Sequence, residues 1–278
     1  MRCNIAVFTI RETLSEYIRA NKIKSLVLGV SGGIDSTLCA ALARPVCDDL
    51  KIPLIGRSLP TPSNKPDELE RARMVGEAFC HDFKEVEINA TPQIDALFDT
   101  NGVTGDDRKD KIRMGNVKAR MRMILLYDLA QKNNGMVLST DNYTELMVGF
   151  WTLHGDVGDF GMIQNYWKTE VYEMSEYLAS NEERGREAIQ LCIDAIPTDG
   201  LGITSSDLEQ LGAKTYQEVD DILQEYFALN KLVQINGICP DIFGLLGKKI
   251  AELEKHPVIQ RHLKTEFKRN NPYNIPRS

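Results

Sequence analysis

The residues Gly29, Val30, Ser31, Gly32, Gly33, Ile34, Asp35 and Ser36 place two adjacent glycines, two hydroxyls and a carboxylate directly after an apolar run, Leu26–Val30. Glycine pairs of this kind strip side chains from the backbone, so that successive N–H groups and the start of a following helix can surround a phosphate. Ser31, Ser36 and Thr37 add hydroxyl donors. Asp35 would repel a bare polyphosphate, and its presence points to Mg²⁺ between carboxylate and phosphate oxygens. A strand–turn–helix junction with Asp35 as a helix-start residue is the bland alternative. The string has neither the lysine of the Gly-x4-Gly-Lys-Ser/Thr loop nor the Gly-x-Gly-x-x-Gly spacing.

A second group, Ser139-Thr-Asp-Asn-Tyr-Thr-Glu145, brings hydroxyls and acids to the end of another apolar run. Asn142 and Glu145 have capping-box spacing, which competes with a metal role for Glu145. A phosphate loop carrying Asp35 calls for a second hard oxygen donor, and Glu145 is the candidate; Thr140 could meet an adenosine or phosphate oxygen. In Gly149–Asp159, glycines flank Asp156 and hold it on a loop, where it could transfer protons or bind substrate rather than sit solvated. Gly115–Arg122 carries three cations, read either as a solvated basic face or as a helix N-terminus with Arg120 gripping a phosphodiester or carboxylate. Lys168 opens a predicted helix, where a cation opposes the dipole unless an anion lies nearby; a nucleotide phosphate would supply one. Lys268 lies in the run 261–269, read either as a charged helix end or as a basic tip that could reach an anionic substrate.

The elements that must position these groups alternate. A helix over 4–20, a strand at 25–30, a helix to 43, a strand at 52–59, a helix over 67–80 and a strand at 84–88 predict an α/β fold, a doubly wound, mostly parallel sheet. Residues 100–111 are polar and turn-rich and are expected as a mobile connection, followed by a long helix over 116–132 and a strand at 136–139. Open α/β sheets bind ligands at the carboxyl ends of their strands, where the first two clusters fall. Beyond residue 165 the pattern is helical (169–179, 182–191, 216–227 and 245–268), with a stretch at 198–206 expected to order on a ligand.

With 278 residues, 42% hydrophobic and 26% charged, the chain fits one globular α/β domain spanning 1–278 with a helical C-terminal part. A net charge of −7 disfavours nucleic acid and anionic membrane as partners. No apolar run approaches bilayer length and no signal peptide is evident, so a cytoplasmic location is expected. Six cysteines without a C-x-x-C pair are expected as free, mostly buried thiols.

The string Ser-Gly-Gly-Ile-Asp-Ser resembles the pyrophosphate-binding loop of the ATP pyrophosphatases, whose fold is adenine nucleotide alpha hydrolase-like. With 115–123, 139–150, 155–156, 197–201, 216–223 and 264–269, taken in order, the chain resembles the NH₃-dependent NAD synthetases within that group. The resemblance implies a homodimeric ligase in which the carboxylate of nicotinic acid adenine dinucleotide (deamido-NAD) attacks the α-phosphorus of Mg·ATP. Pyrophosphate leaves, and ammonia converts the NAD-adenylate into NAD⁺ and AMP. It implies that Gly29–Ser36, Thr140, Lys168 and Thr198 contact ATP, that Asp35 and Glu145 hold Mg²⁺, and that Arg120, Asp156 and Lys268 contact deamido-NAD. Asp156 and Lys168 are the catalytic candidates, Asp156 as proton acceptor and Lys168 as a cation against the departing pyrophosphate. Four positions depart from the family pattern: Phe267 stands for a histidine, Leu153 for a lysine, Ser58 for an arginine now one place earlier at Arg57, and Arg113 near an expected asparagine. No glutaminase segment is found, so free ammonia is the expected donor. Another adenylating enzyme and a non-catalytic ATP-binding module remain alternatives.

Overall fold

The computed structural model describes residues 1–61, 64–197, 207–234, 240–272 and 274–275. In chain order its first half comprises α1 (Cys3–Asn21), β1 (Leu26–Gly29), α2 (Ile34–Leu50), β2 (Leu54–Ser58), α3 (Pro66–Phe79), β3 (Asp82–Glu85), α4 (Thr91–Asn101) and α5 (Asp107–Lys132). Then follow β4 (Met136–Ser139), α6 (Tyr143–Val148), β5 (Phe160–Gly161), α7 (Lys168–Asn181) and α8 (Arg186–Ile193). The last elements are α9 (Asp207–Leu211), α10 (Tyr216–Val233), α11 (Pro240–Leu253), α12 (Pro257–Lys264) and α13 (Glu266–Arg269).

The five strands lie in the order β3-β2-β1-β4-β5 with every neighbouring pair parallel, so the doubly wound parallel sheet expected from the alternation is present. Leu26, Val27 and Leu28 of central β1 are fully buried because helices cover both faces. On one face Leu14, Leu38, Leu42, Phe79, Met174 and Leu178 join α1, α2, α3 and α7 in the largest core. On the other, Met123 and Leu126 of α5 pack against Val27, Ile55 and Val137. A third core, with Val148, Leu211, Val219, Leu223, Val258 and Ile259, ties the C-terminal helices to α6.

Several boundaries differ from the sequence pattern for physical reasons. α2 runs past 43 and through Pro45; the carbonyl of Ala41, which proline cannot serve, accepts instead from Arg11 Nη2 at 3.1 Å. The polar stretch 100–111 is not a connection: only 102–106 lies between α4 and α5. Asp106 caps α5 through Arg108 N at 3.0 Å and Lys109 N at 3.2 Å, and the charged first turns lack an apolar face because they are solvent-exposed. Arg120 is therefore mid-helix, and the expectation that it shares a helix N-terminus is corrected. The helix expected over 245–268 is broken at Pro257 and Thr265. β5 and α4 had no clear sequence signal. Among the described cysteines all are free and Cys39, Cys47, Cys80 and Cys192 are buried; Cys239 lies outside the described residues. No described helix is long and apolar enough to cross a membrane.

Candidate active site

At the carboxyl end of β1 the chain turns through Ser31–Gly33 into α2. Gly32 has φ +79°, and a Cβ there would lie 2.5 Å from the Glu68 carbonyl oxygen and 2.8 Å from Ala72 N, so the turn is pressed against α3 and only glycine fits. Hydroxyls knit the turn: Ser31 N donates to Ser36 Oγ at 3.3 Å, Gly33 N to Ser31 Oγ at 3.2 Å, and Thr37 Oγ1 to the Gly33 carbonyl at 2.8 Å. Gly33 is the N-cap of α2 and carries no capping side chain, which leaves the first-turn amides directed at the cleft.

At the end of β4, Asn142 caps α6 by accepting from Glu145 N at 2.9 Å, while Glu145 accepts from Asn142 N at 3.4 Å. The capping box is real, and it coexists with a second task. Lys168 Nζ lies between the two strand ends, 3.1 Å from Glu145 Oε1 and in contact with Asp35 Oδ2. Burial alone would lower the Lys168 pKa, but Asp35 and Glu145 outweigh it and hold the ammonium well above its ordinary range. Burial pushes the Glu145 carboxyl upward, against the pull of Lys168. The anions that justify a cation at the start of α7 are thus two carboxylates of the protein itself.

Asp156 lines the same cleft, accepts from Thr152 N, and has its pKa raised by burial, which the hydrogen bonds and the charges of Arg122 and Lys268 partly oppose. Thr140 also lines it, and the cavity measures about 340 Å³. Gly29–Asp35, Thr140, Glu145, Asp156 and Lys168 are therefore gathered around one space, with Ser36 bound to Ser31 just behind it. Arg120 and Lys268 are not in its lining. Arg120 Nε donates to the Leu153 carbonyl at 3.1 Å, and Lys268 Nζ to the Gly149 carbonyl at 2.7 Å and to that of Trp151. Both cations brace the backbone of the loop that carries Asp156. Thr198 lies outside the described residues.

Three residues have partners that the sequence did not indicate. Asn142 reaches Asp35 with its side-chain amide at 2.8 Å. Asp220 of α10, fully buried, accepts from Thr144 Oγ1 at 2.5 Å, Thr169 N at 3.0 Å and Thr169 Oγ1 at 2.8 Å, locking together the starts of α6 and α7. Arg57, which stands one place early in the strand-two motif, turns toward β3 and pairs with Asp82 at 2.8 Å. Only long-range packing reveals these partners.

A parallel α/β sheet with a glycine turn at the end of its central strand, and acids delivered by the next strand end, defines a phosphate-handling nucleotide-binding protein. The chain belongs to the NAD synthase family, whose model matches residues 6–272. It is 30% identical over 268 residues to the NH(3)-dependent NAD(+) synthetase of Fusobacterium nucleatum, covering 95% of this chain and 93% of that one. An NMN synthetase from Francisella tularensis superposes with a TM-score of 0.75 at 25% identity, covering 100% of both chains. The NH3-dependent NAD synthetase of Campylobacter jejuni, at 22% identity and a TM-score of 0.66 over 99% of this chain and 100% of that one, shares the fold.

Proposed function

We propose that this chain is an ATP-dependent ligase that amidates deamido-NAD to NAD⁺ with free ammonia, releasing AMP and pyrophosphate. One observation supports it above others: Asp35 and Glu145, from different strand ends, face a single point beside the glycine turn, with Asp156 in the same cleft.

The triphosphate would lie with its tail at the turn, against the amides of Ile34 and Asp35. Asp35 and Glu145 are hard oxygen donors whose charge already attracts Lys168, and they fit Mg²⁺ bound through two carboxylates plus phosphate oxygens. Bound there, Mg²⁺ would supply charge neutralisation for the departing pyrophosphate. Lys168 adds a further cation on the leaving-group side, and Thr140 and Thr198 complete the ATP contacts. The substrate carboxylate displaces pyrophosphate at the α-phosphorus and becomes an acyl adenylate. Attack by ammonia on the acyl carbon then expels AMP, and Asp156 accepts the proton that nitrogen must lose. Arg120 and Lys268 hold the dinucleotide side and its loop. The enzyme acts as a homodimer in the cytoplasm.

Pyrophosphate release from ATP, measured with and without deamido-NAD and with ammonium or glutamine, tests this reading. Sustained release that requires both the dinucleotide and ammonium supports it; hydrolysis of the terminal phosphate alone overturns it. Asp156→Asn should slow amide formation far more than it weakens ATP binding, and unchanged amidation would remove Asp156 from the mechanism.

A second reading is that the acid mononucleotide is the preferred substrate. The full-length likeness to the NMN synthetase favours it, as do Leu153 and Phe267, where the dinucleotide pattern expects cationic or polar side chains. Comparing kcat/KM for nicotinic acid mononucleotide and deamido-NAD decides between them.

A further inference from the structure

Four cations line the cleft: Arg57, Arg71, Arg122 and Lys168. Three are engaged by carboxylates of the protein. Arg57 pairs with Asp82 at 2.8 Å, Arg71 with Asp67 at 2.8 Å while its Nε donates to the Gly32 carbonyl at 3.1 Å, and Lys168 with Asp35 and Glu145. Arg122 is different. Its Nε donates to the Leu59 carbonyl at 3.0 Å, and among the described residues no carboxylate pairs with its guanidinium. Asp156 and Glu68 act on it only through their charge at longer range. A guanidinium carries five N–H donors in a planar fork, so the outer edge of Arg122 keeps its donors for a ligand.

Its position is set by α5. That helix leads from β3 back to the parallel strand β4 and so runs against the strands. Leu126 Cδ1 would lie 3.3 Å from a Cβ at Gly29, the last residue of β1. Arg122, one turn earlier, lies about 6 Å further along the helix axis, toward the carboxyl ends of the strands. The bond to Leu59, just beyond the end of β2, pins its stem there. The glycine turn feeds α2 on one face of the sheet, and Arg122 descends from the opposite face. A ligand at the turn meets backbone amides from one side and this fork from the other.

We propose that Arg122 grips phosphoryl oxygens of ATP, resting on the ligase reading above, and holds them more tightly as negative charge builds during departure of pyrophosphate. A nucleotide polyphosphate is the ligand class this arrangement fits: planar fork to paired oxygens, with amides opposite.

The test is Arg122→Gln and Arg122→Lys in the full chain, with Mg·ATP affinity read by titration and pyrophosphate release read at saturating ATP, each against the parent. Arg122→Gln should weaken Mg·ATP about tenfold and lower the rate about 100-fold, the scale seen when one donor to developing charge is removed. Arg122→Lys should bind ATP nearly as the parent does yet turn over at least about tenfold slower, because a point charge does not reproduce the fork. Affinity and rate within threefold of the parent in Arg122→Gln would overturn the proposal. Should that variant fail to fold by thermal melting, a parental rate in Arg122→Lys overturns it equally. A parent protein that binds Mg·ATP but releases no pyrophosphate would sink the ligase reading, and the titration would still decide Arg122.

Discussion

Asn142 and Asp35, 107 residues apart in sequence, are joined by a hydrogen bond of 2.8 Å from the buried amide to the carboxylate. The same side chain accepts from Glu145 N at 2.9 Å, so one residue both starts α6 and aims the acid of the neighbouring strand end. Asn142→Asp separates the two tasks. Aspartate caps a helix as well as asparagine does, so α6 should persist, but the donor toward Asp35 becomes a like charge. We expect a stability loss of about 2 kcal/mol and a fall in pyrophosphate release of about 100-fold, measured by denaturant unfolding and by initial rates. Asn142→Ser, which keeps a cap and adds no charge, should lose less of both. Parental rates in Asn142→Asp would show that Asp35 needs no such partner.

The two glycines of the turn should respond unequally to alanine. At Gly32 a Cβ collides with the backbone of α3 and φ is +79°, whereas at Gly33, with φ −89°, the nearest contact is Ser31 Oγ at 3.4 Å. Gly32→Ala should cost at least about 1–2 kcal/mol and loosen Mg·ATP, because α3 or the turn must shift. Gly33→Ala should melt within about 0.5 kcal/mol of the parent. Equal melting temperatures for the two would contradict the packing of the turn on α3.

The contrast shows what the sequence could disclose. The Gly-Gly pair, the apolar strand before it and the Asn142/Glu145 spacing are local signals, and the structure places them where those signals imply. Lys168 was legible as a cation out of place, but the anions that answer it come from Asp35 and Glu145, 133 and 23 residues away. Such pairings depend on strand order, which the alternation of elements constrains only in part. The start of α5 was hidden because its first turns, rich in Asp, Arg and Lys, bury almost nothing and give no period. The passage of α2 through Pro45 was hidden because the compensating donor, Arg11, belongs to another helix.

Exposed apolar side chains on α5 offer a surface for the proposed homodimer. Ile124 is 67% exposed, and Leu125 and Tyr127 beside it are open as well. Apolar side chains left open within one turn of a helix are what a partner surface would cover. Ile124→Glu combined with Leu125→Glu should convert the protein from dimer to monomer in light scattering. The fold should hold, since neither side chain belongs to the core, and circular dichroism checks that. A double variant that stays dimeric would place the interface elsewhere.

Asp141 gives a pH dependence with a definite sign. It is buried at the end of β4, accepts from Ser139 Oγ at 2.8 Å, and has its pKa raised from 3.8 to about 6, chiefly by burial and further by Asp156 and Asp35. Between those two values the folded protein binds a proton that the unfolded chain has released, so raising the pH favours unfolding. Asp141 therefore costs nothing below the lower value, and its full penalty of about 3 kcal/mol applies above the upper one. A carboxamide at this position cannot titrate, which makes Asp141→Asn the reference for groups that do not feel the Asp141 charge; Glu145, which that charge pushes further up, does feel it. The unfolding free energy of the parent minus that of the variant should fall as pH rises from 4 to 6, as read from urea midpoints at constant slope. A difference that stays constant across the whole range would mean that Asp141 is ionised in the native state throughout, with Ser139 and solvent stabilising its charge better than its burial implies.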